Sequence, residues 1–194
     1  RAFDPFFDSD SNELIDLKSE YNFNFSQFAA LRDAAISDES INFTQNIFNA
    51  YIDGRTEIHN QGSLNEIITH RNIIITELER VVASSIVHYL NKVTLDMDTL
   101  IISDSTAGPL SDASINYNKN WSSLRGLIIS LQFNDFKNIS NEDLLDIVQK
   151  VGENPFFPID GTMVFRNYQT EINDIIKSIF QTTYNFSDHW MQNW

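Results

Sequence analysis

Apolar residues in this chain recur at steps of three and four, the period of an α-helix buried along one face. Phe25, Phe28, Ala29, Arg32, Ala35 and Ile36 set the spacing first and predict a helix over 26–36. A second stripe starts near Ser40 and runs through Ile41, Thr44, Ile47, Phe48, Tyr51, Ile52, Arg55 and Ile58. Gly54 lies inside it, where glycine costs about 1 kcal/mol relative to alanine. It therefore either ends that helix or admits a close neighbour. Gln61-Gly62 then breaks the chain.

The clearest element begins at Ser63. Ser63 and Glu66 match a capping box, in which each side chain bonds the other residue's backbone N–H. Ile67, Ile74, Leu78, Val81, Val82, Ser85, Tyr89 and Val93 carry the helix to about Asp96. The Ile73-Ile74-Ile75 run widens the apolar face and predicts partners on more than one side. From Ser103 the chain is polar and carries Gly108-Pro109, which reads as a loop. Trp121, Leu124, Ile128 and Leu131 define the next helix, ending near Phe133. Ser140 with Asp143 caps a shorter one through Lys150, and Gly152 suits the position after its end. Asn154 to Gly161, with Pro155 and Pro158, reads as a turn. The last long helix covers Val164 to Tyr184, buried on Phe165, Tyr168, Ile172, Ile175, Ile176, Ile179 and Phe180.

Ahead of these, Pro5 and Asp8-Ser9-Asp10 read as a loop pinned by Phe3, Phe6 and Phe7, with a short helix near Glu13 to Ser19. Alternating strands with hairpin turns are absent. The expectation is a single all-α domain over 1–194, an irregular bundle of six to seven helices.

Composition narrows the function classes. Thirteen basic residues face 27 acidic ones, a formal charge of −14. Such a surface repels phosphate backbones, which argues against nucleic acid. No run reaches the ~20 apolar residues of a transmembrane helix. The chain has no cysteine, which removes disulfides, thiolate nucleophiles and cysteine-bound zinc. It opens at Arg1 and reads as a fragment or processed form, with any leader or lipid anchor upstream.

Candidate chemistry is sparse. The four histidines, at 59, 70, 88 and 189, begin no His-x-x-Glu or His-x-x-x-His pattern. Glu66 and His70 stand one helical turn apart and are the candidate metal pair, although a hydrogen-bonded surface pair is the plainer reading. His88 sits beside the apolar stripe and reads as a helix-surface or interhelix histidine, and it is a further weak metal candidate. Asp8-x-Asp10-x-Asn12 resembles the start of a calcium loop. Glu13 replaces the required glycine, however, and Ser19 stands where the bidentate Glu belongs. Calcium or iron would be the ions at such positions, and this segment requires no cofactor. No nucleophile elbow, phosphate loop or dinucleotide fingerprint occurs, so no catalytic residue is assigned. Five Asn-x-Ser/Thr matches, at Asn24, Asn42, Asn120, Asn138 and Asn185, are expected by chance in so Asn-rich a chain. Trp190 and Trp194, four apart, fit one helical face and are candidate partner-binding anchors.

Three segments add a resemblance. Asp53-Gly54-Arg55, Val82 to Asn91, and Trp121 through Ser130-Leu131-Gln132-Phe133-Asn134 resemble the C-terminal half of an imelysin-like family of Bacteroidetes lipoproteins. The likeness spans about Phe43 to Val151. It implies an all-helical fold, export, and a lipid-anchored place at the outer membrane, on its periplasmic or cell-surface side. It implies no established chemistry, and the Gly-x-His-x-x-Glu motif of imelysins proper is absent here. The expected function is a non-catalytic interaction module with a protein partner at the cell envelope, as a subunit of a larger membrane-associated complex. The membrane would be reached only through an upstream anchor. The rival is a metal-dependent imelysin-type peptidase or iron-uptake-linked protein whose motif lies upstream.

Overall fold

The computed structural model describes residues 25–35, 41–102, 111–158 and 161–194. Among them the fold is all-α, without a strand. Its helices are α1 (Phe25–Ala35), α2 (Phe43–His59), α3 (Leu64–Ile102), α4 (Asp112–Ser130) and α5 (Asn141–Val151). Next comes α6, which starts as Thr162–Thr170, passes through a π-helical turn at Glu171–Ile176 and continues as Lys177–Tyr184. The last is α7 (Asp188–Asn193). The chain divides into two compact units between Val82 and Ala83, inside α3. The expected loop at Pro5, the short helix near Glu13 and the segment Asp8-x-Asp10-x-Asn12 lie outside the described residues.

In the first unit, a side chain on α1 starts α2. Asp33 accepts from the backbone N–H groups of Phe43 (2.8 Å) and Thr44 (3.0 Å). A carboxylate there meets both the orphan donors and the positive end of the helix. Asn42 adds a cap by accepting from the Gln45 N–H at 3.0 Å. The far end of α2 closes in a Schellman motif. Gly62 N–H donates to the Glu57 carbonyl (2.8 Å), and Gln61 sits in the left-handed region at φ 55°. The left-handed residue is thus Gln61. A Cβ at Gly62 would crowd the Glu57 carbonyl at 3.2 Å and the flexible Glu57 carboxylate. The capping box at Ser63 and Glu66 forms as its residues predict, with Ser63 Oγ accepting from the Glu66 N–H and the Glu66 carboxylate from the Ser63 N–H.

Helix α3 continues past Asp96 to Ile102. Its apolar surface is closed all round at Val81 and Ala83 to Val87, where every residue is buried. The Ile73-Ile74-Ile75 run, expected to be covered on several sides, is instead half-open, with Ile73 41% exposed. The small side chains Ala83, Ser84 and Ser85 let neighbours approach, whereas three branched isoleucines cannot all be covered by one partner helix.

The second unit packs α4, α5, α6 and α7 with the later part of α3. Its centre is a buried relay in which Trp121 Nε1–H donates to Tyr168 Oη (2.9 Å) and Tyr168 O–H donates to the Val151 carbonyl (2.9 Å). This ties α4, α6 and the end of α5. Gln169 Nε2 reaches the Thr94 carbonyl and Asp98 Oδ1, binding α6 to α3. Helix α4 begins nine residues earlier than its apolar stripe shows, because Ser111 caps it by accepting from the Ser114 N–H. Ile175, expected inside, is 43% exposed. The wider π turn rotates the buried face, so that Ile172, Ile176, Phe180 and Tyr184 line the core at steps of four.

Tyr168→Phe would strand the Trp121 donor and the Val151 carbonyl, each buried. The expected loss is roughly 1–3 kcal/mol in urea unfolding. Burial also pushes the Tyr168 phenol up to about 12, with the Trp121 hydrogen bond pulling the other way. Burial raises Tyr117 too. For an acid with a raised folded pKa, the contribution is complete below the unfolded value near 10 and fades as pH rises towards 12. Stability measured from pH 9 to 12 is therefore expected to fall, and less steeply in Tyr168→Phe.

Candidate functional site

Helices α2 and α3 form an antiparallel hairpin, as the pairs Phe43–Arg80, Asn46–Glu77 and Gly54–His70 step in opposite directions. The closed end of the hairpin interface is polar and satisfied. Glu77, 8% exposed, accepts from Arg80 Nη1 (2.7 Å) and Asn46 Nδ2 (3.3 Å), while the Arg80 guanidinium lies 5.5 Å from the Phe43 ring centre. Nearer the turn the helices touch at Gly54. A Cβ on that residue would stand 3.2 Å from the Cβ of His70. Helix α2 runs on through Gly54, so of the two roles its position allows, close approach is the one the fold uses.

On one face of this hairpin lies an open groove of about 440 Å³. From α2 it takes Ala50, Tyr51, Gly54, Arg55 and Ile58. From α3 it takes Ile67, His70, Arg71, Ile74, Ile75 and Leu78. The walls are almost wholly apolar, and Ile58 is 63% exposed at the edge. Burial raises the Tyr51 phenol above its ordinary value. His70 Nδ1 is buried without a hydrogen-bond partner among the described residues. Arg71 hydrogen-bonds the Asn72 amide oxygen through Nε and Nη2.

Among the described residues the metal candidates have separate surroundings. The Glu66 carboxylate is engaged by Ser63, while His70 belongs to the groove wall. His88 lies in the second unit, half-buried, with its ring edge-on to Tyr89 at 5.2 Å. Among the described residues no three His, Asp or Glu side chains gather as an ion would need. Asp8, Asp10 and Asn12 lie outside those residues.

A second hollow, about 470 Å³, lies within the second unit beside the π turn of α6. Its charged groups are paired off. Lys150 Nζ stands 3.1 Å from Glu171 and 3.3 Å from Asp146. Hydrogen bonds from Lys150 to those two carboxylates push its pKa up, away from the range of a general base. Phe156 packs on Tyr168 at 4.7 Å, and the Tyr168 hydroxyl belongs to the buried relay.

Trp190 and Trp194, the candidate partner anchors, pack against neighbouring side chains of the second unit. Ser187 caps α7 by accepting from the Trp190 N–H, and Trp190 and Trp194 share a face with ring centres 6.0 Å apart. Trp194 is only 4% exposed and sits edge-on to Phe186 at 4.7 Å. Asn91 Nδ2 donates to the carbonyls of Met191 (3.0 Å) and Trp194 (2.9 Å), fixing the segment to α3. Trp190 is half-buried in the same aromatic cluster. Among the described residues no helix is long and apolar enough to cross a membrane.

Two glycine substitutions separate close approach from helix propensity. Gly54→Leu should destabilise by roughly 1–3 kcal/mol, because the added side chain forces α2 and α3 apart. Gly126→Ala, in α4 with nothing near the new methyl group, should stabilise by about 0.5–1 kcal/mol. Chemical denaturation of each variant measures both. Comparison of the chain with family models, curated proteins and solved structures finds no match.

Proposed function

We propose that this chain is a non-catalytic helical binding module of a bacterial cell-envelope lipoprotein, imelysin-like in kind, that holds a protein partner in the groove between α2 and α3. The groove carries the reading. It is an apolar trough left open between two well-capped helices, and soluble proteins seldom leave such a surface uncovered unless something docks there. The residues near it support binding rather than turnover. Burial raises the Tyr51 phenol, which keeps it protonated, and Glu66 is committed to a helix cap. Export to the periplasmic or cell-surface side of the outer membrane rests on the resemblance of Asp53-Gly54-Arg55 and Val82 to Asn91 to envelope lipoproteins.

Proteinase treatment of producing cells tests the placement. The full-length protein should be degraded on intact cells or once the outer membrane is opened, while a cytoplasmic marker survives. Protection until the inner membrane is lysed would contradict it. Chelator should leave the unfolding temperature of the purified chain unchanged, and a fall would place an ion in the fold.

A further inference from the structure

We propose that the α2–α3 groove seats an amphipathic helix of a partner protein, and that this helix carries carboxylates along the edge of its apolar stripe. The inference rests on the binding-module reading and adds the chemistry of the partner.

The form of the groove selects a helix. Its walls run from residue 50 to 58 on α2 and from 67 to 78 on α3. At 1.5 Å per residue these are about 12 and 17 Å, or two to three helical turns. Small-molecule sites enclose roughly 70–90% of their ligand. An open trough leaves one side of an acyl chain in water. An amphipathic helix suits such a trough because only its apolar face needs cover, and its polar face stays solvated.

The charge selects the partner's edge. Acidic residues outnumber basic ones 27 to 13 along the chain. The charged side chains lining the groove nevertheless run the other way. Among the described residues they are Arg55 and Arg71, with no carboxylate between them. Arg55 is exposed and has no ion pair or hydrogen bond among the described residues. A guanidinium at the rim of an apolar surface matches a carboxylate in both charge and hydrogen-bond geometry. An acidic helix laid along the hairpin would meet Arg55 on one side and Arg71 on the other. The rest of this strongly acidic surface would repel it, which confines docking to the groove.

The test uses the full chain and two fluorescein-labelled peptides of about 18 residues, long enough to populate a helix. Both carry leucine at helical spacing; one has glutamate along the stripe's edges and the other lysine. Fluorescence anisotropy should show saturable binding of the glutamate peptide, weakened by salt, and at least about tenfold weaker binding of the lysine peptide. The double variant Arg55→Glu/Arg71→Glu should invert that preference. Ile58→Glu, at an exposed edge position, should abolish binding of the glutamate peptide with the circular dichroism spectrum unchanged. Equal affinity for both peptides, or an unaltered preference in the double variant, overturns the proposal. So does binding of neither peptide. Displacement of the glutamate peptide by palmitate, together with loss of palmitate binding in Ile58→Glu, would assign the groove to an acyl chain instead. Self-association in analytical ultracentrifugation that Ile58→Glu removes would assign it to a second copy. A chain confined to the cytoplasm that still prefers the glutamate peptide removes the envelope placement and leaves this inference standing.

Discussion

An apolar helix surface has to be covered, and α3 carries one along most of its length. Each square ångström of apolar surface left in water forfeits about 25 cal/mol. Around Ala83 to Val87 this demand is met completely, with no residue of that stretch exposed. Across Ile67, Ile74, Ile75 and Leu78 it is met only in part: near the turn α2 approaches α3 closely at Gly54 against His70, while these side chains line the groove beside that contact. The same constraint that builds the core therefore leaves a groove. Its polar end is sealed by Glu77, Arg80 and Asn46, so what stays open is the apolar stretch nearer the turn.

Two kinds of satisfaction hold the rest in place. Helix starts are closed locally, by Ser63 with Glu66, Ser140 with Asp143, Ser111 and Ser187. Longer reaches then fix one helix to another, through Asp33 at the start of α2, Trp121 and Tyr168 in the relay, and Asn91 at the last carbonyls. The hollow beside the π turn belongs to this second kind, since Glu171 sits where it can neutralise Lys150. Several asparagine–serine patterns have the same explanation. Asn42, Ser140 and Ser187 are capping residues, so a requirement for helix ends accounts for them.

What the sequence made legible was whatever depends on residues within a turn or two. The capping boxes, the stripe through Ile47 and Val81, and the left-handed glycine at Gly152 (φ 80°) could all be read from local spacing. Four features could not. The start of α4 hides in the polar run from Ser111 to Asn120, whose exposed side carries no stripe. The π turn displaces Ile175 outward without any local sign. The burial of Trp194 depends on the segment being held by Asn91, about a hundred residues earlier, which bonds its carbonyl. The groove was the least visible of all. Its residues are ordinary core types in an ordinary stripe, and only the arrangement of α2 shows which of them remain uncovered. Arg55 and Arg71 signal nothing singly, and their meaning comes from facing the same trough in an acidic chain.

The central claim is that the partner sits on residues 50–58 and 67–78 and nowhere else. Titrating the acidic amphipathic peptide into isotope-labelled chain and following backbone amide shifts tests this most directly. The account predicts that the largest, saturable shifts fall on those two stretches, with Arg55, His70 and Arg71 among them. Shifts gathered instead at Gln149, Asn167 and Glu171, or spread without saturation over the whole surface, would contradict it.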